Sequence, residues 1–226
     1  MSITADQAVS QCIAQLRSEG ATGLDQYEPR LRKNAKKPAK LGDFLLEGRA
    51  ALMFLRNGFK VAIRERPDLQ VQLDKEVVYV EVTHFREKVQ DRVDEKAMRE
   101  TTDFMVRYGD PTESEGAPPW TQIANKAKSK ASQYMSDAPN MLVVESSSVS
   151  LELELESAVN QYDDCVLKSN DLRLRRLSAM MLINMRSEAF GADGPSNVEF
   201  CQTAHATVPL SAKLASALRK IRIDLA

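Results

Sequence analysis

Residues 67 to 85, Pro-Asp-Leu-Gln-Val-Gln-Leu-Asp-Lys-Glu-Val-Val-Tyr-Val-Glu-Val-Thr-His-Phe, leave the chain little choice of local structure. Leu69, Val71 and Leu73 alternate with Gln70 and Gln72, the period of a half-buried strand. Asp74-Lys75-Glu76 reads as a polar turn, and Val77 to Phe85 as a second strand rich in β-branched and aromatic residues. The second strand is apolar on both faces, which predicts a place inside a sheet. Glu81 then lies where a carboxylate is costly unless something pairs with it. A divalent cation shared with Asp68 would do so.

Two further charges are out of place. Gly42-Asp43 predicts a helix start with Asp43 as N-cap, and Asn57-Gly58 predicts its end. The apolar stripe of that helix holds Phe44, Ala50, Ala51 and Phe54, and Glu47 lies at its centre. A salt bridge with Arg49 or Arg64 is the plain alternative for Glu47. A second helix is predicted from Trp120 to about residue 136, with Ile123, Ala127, Ala131 and Tyr134 as its stripe. Lys130 falls inside that stripe, Lys126 and Gln133 flank it, and Lys128 points the other way. An ammonium on a buried helix face loses hydration. The plain alternative is a lysine stem lying along the core edge with its head in water.

Pro67-Asp68 followed by Glu81-Val82-Thr83 resembles the signature of the PD-(D/E)xK nuclease superfamily, with Thr83 where the motif lysine stands. Members of that superfamily are known in which the lysine has moved to a nearby helix, and many carry a glutamate on the first core helix. The resemblance covers about residues 42 to 146. It implies an α/β, restriction-endonuclease-like α-β-β-β-α-β core: helix 43–57, strands 58–64, 68–73 and 77–85, helix 120–136 and strand 140–146. A mixed central sheet flanked by helices is expected, with an N-terminal helix and a C-terminal α/β extension. The resemblance also implies roles. Asp68 and Glu81, the backbone carbonyl of Val82, and Glu47 directly or through water would hold Mg²⁺ or Mn²⁺, oxygen-seeking ions suited to carboxylates. Lys130, with Lys126 as second choice, would be the displaced lysine. The expected function is metal-dependent phosphodiester hydrolysis of nucleic acid, with DNA the expected substrate. Thr83 keeps an alternative open, a catalytically degenerate nuclease fold that binds nucleic acid or protein. A homo-oligomer, or a partner protein in a defence or repair assembly, is also compatible with the sequence.

Composition narrows the remaining classes. The 226 residues, 43% hydrophobic, suit one domain with appendages. Residues 1–41 form an N-terminal helix and basic connector, 42–146 the core, and 147–226 the extension. No apolar run approaches the ~18 residues of a membrane span, and no signal peptide is visible. Cys12, Cys165 and Cys201 match neither a zinc spacing nor a disulfide framework, which points to a cytoplasmic setting. The net charge of −1 hides an asymmetry. Arg30, Arg32, Lys33, Lys36, Lys37 and Lys40 come without an acid among them, whereas Ala131 to Leu167 holds seven acids and no base. The basic run is read either as a solvated loop or as a track for phosphates.

The other segments are read more coarsely. Arg86 to Val106 is charged and helical in pattern, and Tyr108 to Pro119 is a loop, together a lid, a clamp or filler. Leu151 to Tyr162 is predicted helical with Ser150 as cap. Ala179 to Met185 and Val198 to Ala206 read as strands, and Pro209 to Ile221 as a closing helix. His84 follows Thr83 and so points away from the face of Glu81, packed behind the site. Neither histidine is joined by a serine or cysteine elbow, and no phosphate-cradling glycine loop is present.

Overall fold

The computed structural model describes residues 4–84, 118–146, 151–184 and 198–223. Six strands form one open mixed sheet in chain order: β1 (Lys60–Ile63), β2 (Leu69–Leu73), β3 (Glu76–His84), β4 (Asn140–Glu145), β5 (Leu177–Ile183) and β6 (Val198–Gln202). The pairs β1–β2, β2–β3 and β5–β6 are antiparallel, and β3–β4 and β4–β5 are parallel. Parallel neighbours need a crossover. Helix α4 (Pro119–Ser129) lies in the first, and α5 (Leu151–Lys168) in the second.

Side chains that alternate along the strands divide the apolar core in two. Val80, Val82, Met141, Val143, Met181 and Ile183 face α1 (Ala5–Ser18), α3 (Pro38–Arg56) and α6 (Ala212–Arg219). Leu142, Val144, Met180 and Leu182 face α4 and α5. Both layers draw on the same central strands, which is why β4 and β5 are apolar at nearly every position. The hairpin β2–β3 closes with Asp74 and Lys75 alone, because Leu73 already faces Glu76. Asp74 has φ 53°, a left-handed conformation that aspartate tolerates better than most residues.

Several boundaries differ from the sequence expectation. The connector 21–41 is largely helical: α2 runs Leu24–Asn34, and α3 begins at Pro38. Asp43 is therefore inside α3 and does not cap it. Proline at the first helical position, with its preset φ, provides an earlier start than the Gly42-Asp43 signal. The predicted end holds, since Gly58 at φ 84° lets its amide reach Leu55 O and that of Phe59 reach Phe54 O. Helix α4 stops at Ser129, short of residue 136. There Asn140 takes the amide of Met135 with its Oδ1 and approaches the Met135 carbonyl with its Nδ2, pulling the chain out of helical register. Tyr134 stays buried and donates to Ala127 O at 3.0 Å. The last strand stops at Gln202, and α6 begins after Ser211, which caps it. Leu172–Arg176 forms a 3-10 turn for which there was no expectation. The expectations for Arg86–Val106, for the loop up to residue 117 and for Ser150 lie outside the described residues. Among the described residues no helix is long and apolar enough to cross a membrane.

Candidate functional site

The site forms where β2 stops pairing with β3. Leu69 faces Val80, and beyond it the amide of Val82 has no strand partner on that side. A buried backbone donor must be satisfied. Asp68, the residue just before β2, does this: its Oδ2 accepts from Val82 N–H at 2.8 Å. The amide of Arg64 in turn donates to Asp68 O at 2.8 Å and closes the turn 64–68. Asp68 is thus fixed beside the strand that carries Glu81.

Glu81 is 1% exposed and turns toward the α4 layer. Lys130 Nζ lies 2.8 Å from its Oε2 and also donates to Gln133 Oε1 at 3.2 Å. Lys130 is the C-cap of α4 and lies just beyond its last turn. The end of the helix at Ser129 therefore leaves the predicted stripe residue aimed at the carboxylate. Lys128 behaves as expected, since its Nζ lies 3.8 Å from Cys165 Sγ, on another side of α4.

Glu47 comes from α3, on the opposite side of the sheet, and is 7% exposed. Its nearest cation is Arg30, with Nη2 at 4.0 Å from Oε2. Arg49 instead approaches Glu145 at 3.9 Å, and Arg64 donates to Gln70 Oε1 at 2.8 Å. Arg30 is itself anchored: Nη2 donates to Arg64 O at 2.7 Å, and the guanidinium lies 5.6 Å from the Tyr27 ring centre and 5.5 Å from that of Phe44. No nitrogen or hydroxyl donor reaches Glu47 Oε2 or Glu81 Oε1, although both atoms are buried, and the Asp68 carboxyl stands within side-chain hydrogen-bond reach of Glu81.

The three carboxylates act on one another electrically. Burial, then the charge of Asp68, pushes Glu47 up to about 9. The same two causes raise Glu81 to about 7, against the pull of Lys130. Asp68 is raised by burial despite the Val82 amide and the Lys130 charge. Such mutual shifts are typical of functional sites, where like charges are held close in a low dielectric.

These groups border a cleft of about 520 Å³ between α3 and α4, at the C-terminal ends of β3 and β4. Glu47, Asp68, Val82, Thr83, Lys126 and Lys130 line it. Glu81 is not itself a lining residue; it lies behind Lys130, with which it is ion-paired, and beside Asp68. Six of the predicted positions therefore converge here: Glu47, Asp68, Glu81, Val82, Lys126 and Lys130.

His84 was expected behind the site, yet it lines the cleft. Its parity is as read, on the α3 side, but the cleft opens across the sheet's end and takes in both faces. Nδ1 lies 2.5 Å from Glu145 Oε2, and Nε2 lies 3.2 Å from Gly42 O and 3.8 Å from Asp43 Oδ1. The Glu145 hydrogen bond is the main reason that the imidazole is held above its usual pKa. Sequence reasoning also missed Arg30 as the partner of Glu47. Its membership in the basic run was the available signal.

Oxygen donors that lack protons or partners suit a hard divalent cation. The orphaned Glu47 Oε2 and Glu81 Oε1, with Asp68 beside them, meet that description. Among the described residues no three His, Cys, Asp or Glu side chains already stand at metal-ligand spacing. Any such ion would rest on two or three carboxylates supplemented by backbone or water, the coordination habit of Mg²⁺. Comparison with protein-family models, with curated proteins and with solved structures finds no significant match.

Proposed function

We propose that this cleft is the active site of a metal-dependent phosphodiesterase acting on nucleic acid, with DNA as its substrate, in a restriction-endonuclease-like core of PD-(D/E)xK type. One observation carries the reading: Glu47, Asp68 and Glu81 come from three separate elements to one cleft, where Glu47 Oε2 and Glu81 Oε1 are buried without a nitrogen or hydroxyl donor. A buried carboxylate oxygen without a donor must be met by a proton or by an added cation. The order α3-β1-β2-β3-α4-β4 also agrees with the α-β-β-β-α-β order of that superfamily.

Asp68, Glu81 and Glu47 would hold Mg²⁺ or Mn²⁺, with the Val82 carbonyl as a further donor. When bound, the ion would lower the pKa of a water and neutralise phosphate oxygens. The chain's own groups supply the rest. Val82 N–H fixes the rotamer of Asp68. Thr83 carries no charge, so the cation beside the reacting phosphate has to come from α4. Lys130 supplies it, held by Glu81 and Gln133, in a position to orient the attacking water and to stabilise charge in the transition state. Lys126, exposed on the cleft wall, binds a phosphate oxygen as a point charge.

The direct Lys130–Glu81 ion pair supports one rival reading, a degenerate fold that binds nucleic acid without cutting it. A single experiment separates the two. Plasmid and single-stranded DNA are incubated with Mg²⁺, Mn²⁺ or EDTA, and melting is followed in parallel. The proposal expects cleavage with metal alone, and stabilisation of roughly 2–3 kcal/mol at about a hundredfold excess of ion over Kd. Asp68→Asn should fold and lose both. Metal stabilisation without cleavage would leave the binding module, and neither response would remove the metal site.

A further inference from the structure

The basic run Arg30–Lys40 splits into two populations. Arg30 is turned inward on Glu47, and Arg32 is held by Glu28 at 2.7 Å. Lys33 on α2, and Lys36, Lys37 and Lys40 at the start of α3, are exposed and enter no ion pair among the described residues, and the last three are the ones that lead toward Glu47. Lys37 is the N-cap of α3, and its side chain caps nothing. Lys40 and Glu47 are seven residues apart on α3, which puts them within about 20° on one face and ~10 Å apart along the axis. Asp43, between them, lines the cleft and has His84 Nε2 at 3.8 Å. Lys40 therefore extends the Glu47 face of α3 outward from the cleft, and Lys36 and Lys37 lie in the turn that leads into that helix, while Lys126 lines the α4 wall.

We infer that Lys36, Lys37 and Lys40 bind successive backbone phosphates of a nucleic acid that crosses the cleft, without reading its sequence. This rests on the cleft being a nucleic-acid site, and it deepens that reading by naming how the strand is held. Lysine ammoniums are strongly hydrated point charges that suit phosphate but lack the planar fork used to read base edges. Each such contact releases a counterion on binding, at about 0.9 per phosphate for duplex and about 0.7 for single strand.

Binding of short fluorescent duplex and single-stranded DNA is measured in EDTA across a salt series, so that cleavage plays no part. The triple variant Lys36→Gln, Lys37→Gln, Lys40→Gln should lower the slope of log K against log salt by about 2–3. From about 50 to about 200 mM salt, the affinity of the parent should then fall roughly 40-fold more than that of the variant on duplex. Two unrelated sequences should behave alike. Lys60→Gln, Lys75→Gln, Lys220→Gln makes the same change in net charge at exposed positions that do not line the cleft, and should alter the slope by less than about one. An unchanged slope in the first variant, an equal loss in the control, or no binding by the parent overturns the assignment. Binding lost as expected in a protein that never cleaves leaves the lysine track standing and sinks hydrolysis. Cleavage by a parent whose slope survives the triple change does the reverse.

Discussion

Two buried polar clusters sit at opposite ends of the parallel strands, and they are built on opposite principles. At the start of β4, Asn140 is 1% exposed and fully engaged. Its Oδ1 accepts from Met135 N–H at 2.7 Å, and its Nδ2 lies 2.9 Å from the carbonyls of Met135, Ala138 and Arg176. Its own amide donates to Ser178 Oγ, whose hydroxyl in turn donates to Val208 O. At the other end Glu47 and Glu81 are nearly as buried, yet each keeps an oxygen that no nitrogen or hydroxyl donor reaches. A satisfied polar network rigidifies a fold, whereas an unsatisfied one costs stability. The first cluster locks the loop between α4 and β4. The second carries that cost, which the proposed cation would offset.

The sharpest way to break this contrast is to truncate the satisfied cluster. Asn140→Ala orphans several buried carbonyls and the Met135 amide, and should destabilise the protein by about 3–5 kcal/mol in denaturant unfolding. The stabilising increment from Mg²⁺ should stay as in the parent. A loss under about 1 kcal/mol would mean that the hub is redundant.

Next comes the cation at the open end. Lys130→Met keeps the apolar stem, removes the charge, and should lower kcat by about 10²–10³. Lys128→Met, directed toward Cys165, should cleave at the parent rate. Equal rates for all three proteins would mean that catalysis does not use the displaced lysine.

The most gradual effect is on pH dependence. Glu47 has a folded value of about 9 against an ordinary 4.5, so the folded protein holds a proton that the unfolded chain has lost in that window. Stability from this group is present below about 4.5 and is lost as pH rises toward 9, with a slope of at most about 1.4 kcal/mol per pH unit. Glu47→Gln should flatten the stability–pH curve between those values and leave the metal-free protein more stable than the parent at pH 8. A divalent ion should release the proton and flatten the curve of the parent in the same way. A curve that rises with pH through this range would contradict the raised carboxylate.

Much of the site was legible because its residues violate local rules. Glu47 interrupts an apolar helix stripe, and Glu81 interrupts an apolar strand. Lys130 falls on the buried period of α4, and its aim at Glu81 survives although the helix ends at Ser129. Each anomaly is visible in a dozen residues, since period and burial are local. Arg30 was not legible as the partner of Glu47, because nothing in a basic run says which member turns inward. His84 was misplaced for a related reason. Strand parity states which face a side chain leaves from, but not that a cleft at the sheet's end is open to both faces.

The sequence by itself determined the strands, the hairpin turn, the end of α3 at Gly58 and the anomalous charges, because these depend on dihedral preference and on the alternation of apolar residues along a few turns. Tertiary structure alone decided that α2 exists, that α4 ends where Asn140 reaches back for Met135, and that the lysines 36, 37 and 40 remain outside while Arg30 goes in. It also decided that three acids, from α3, from the residue before β2 and from β3, come to one cleft. Those outcomes rest on contacts between residues tens of positions apart, whose energies exist only once the sheet and its two layers have closed around them.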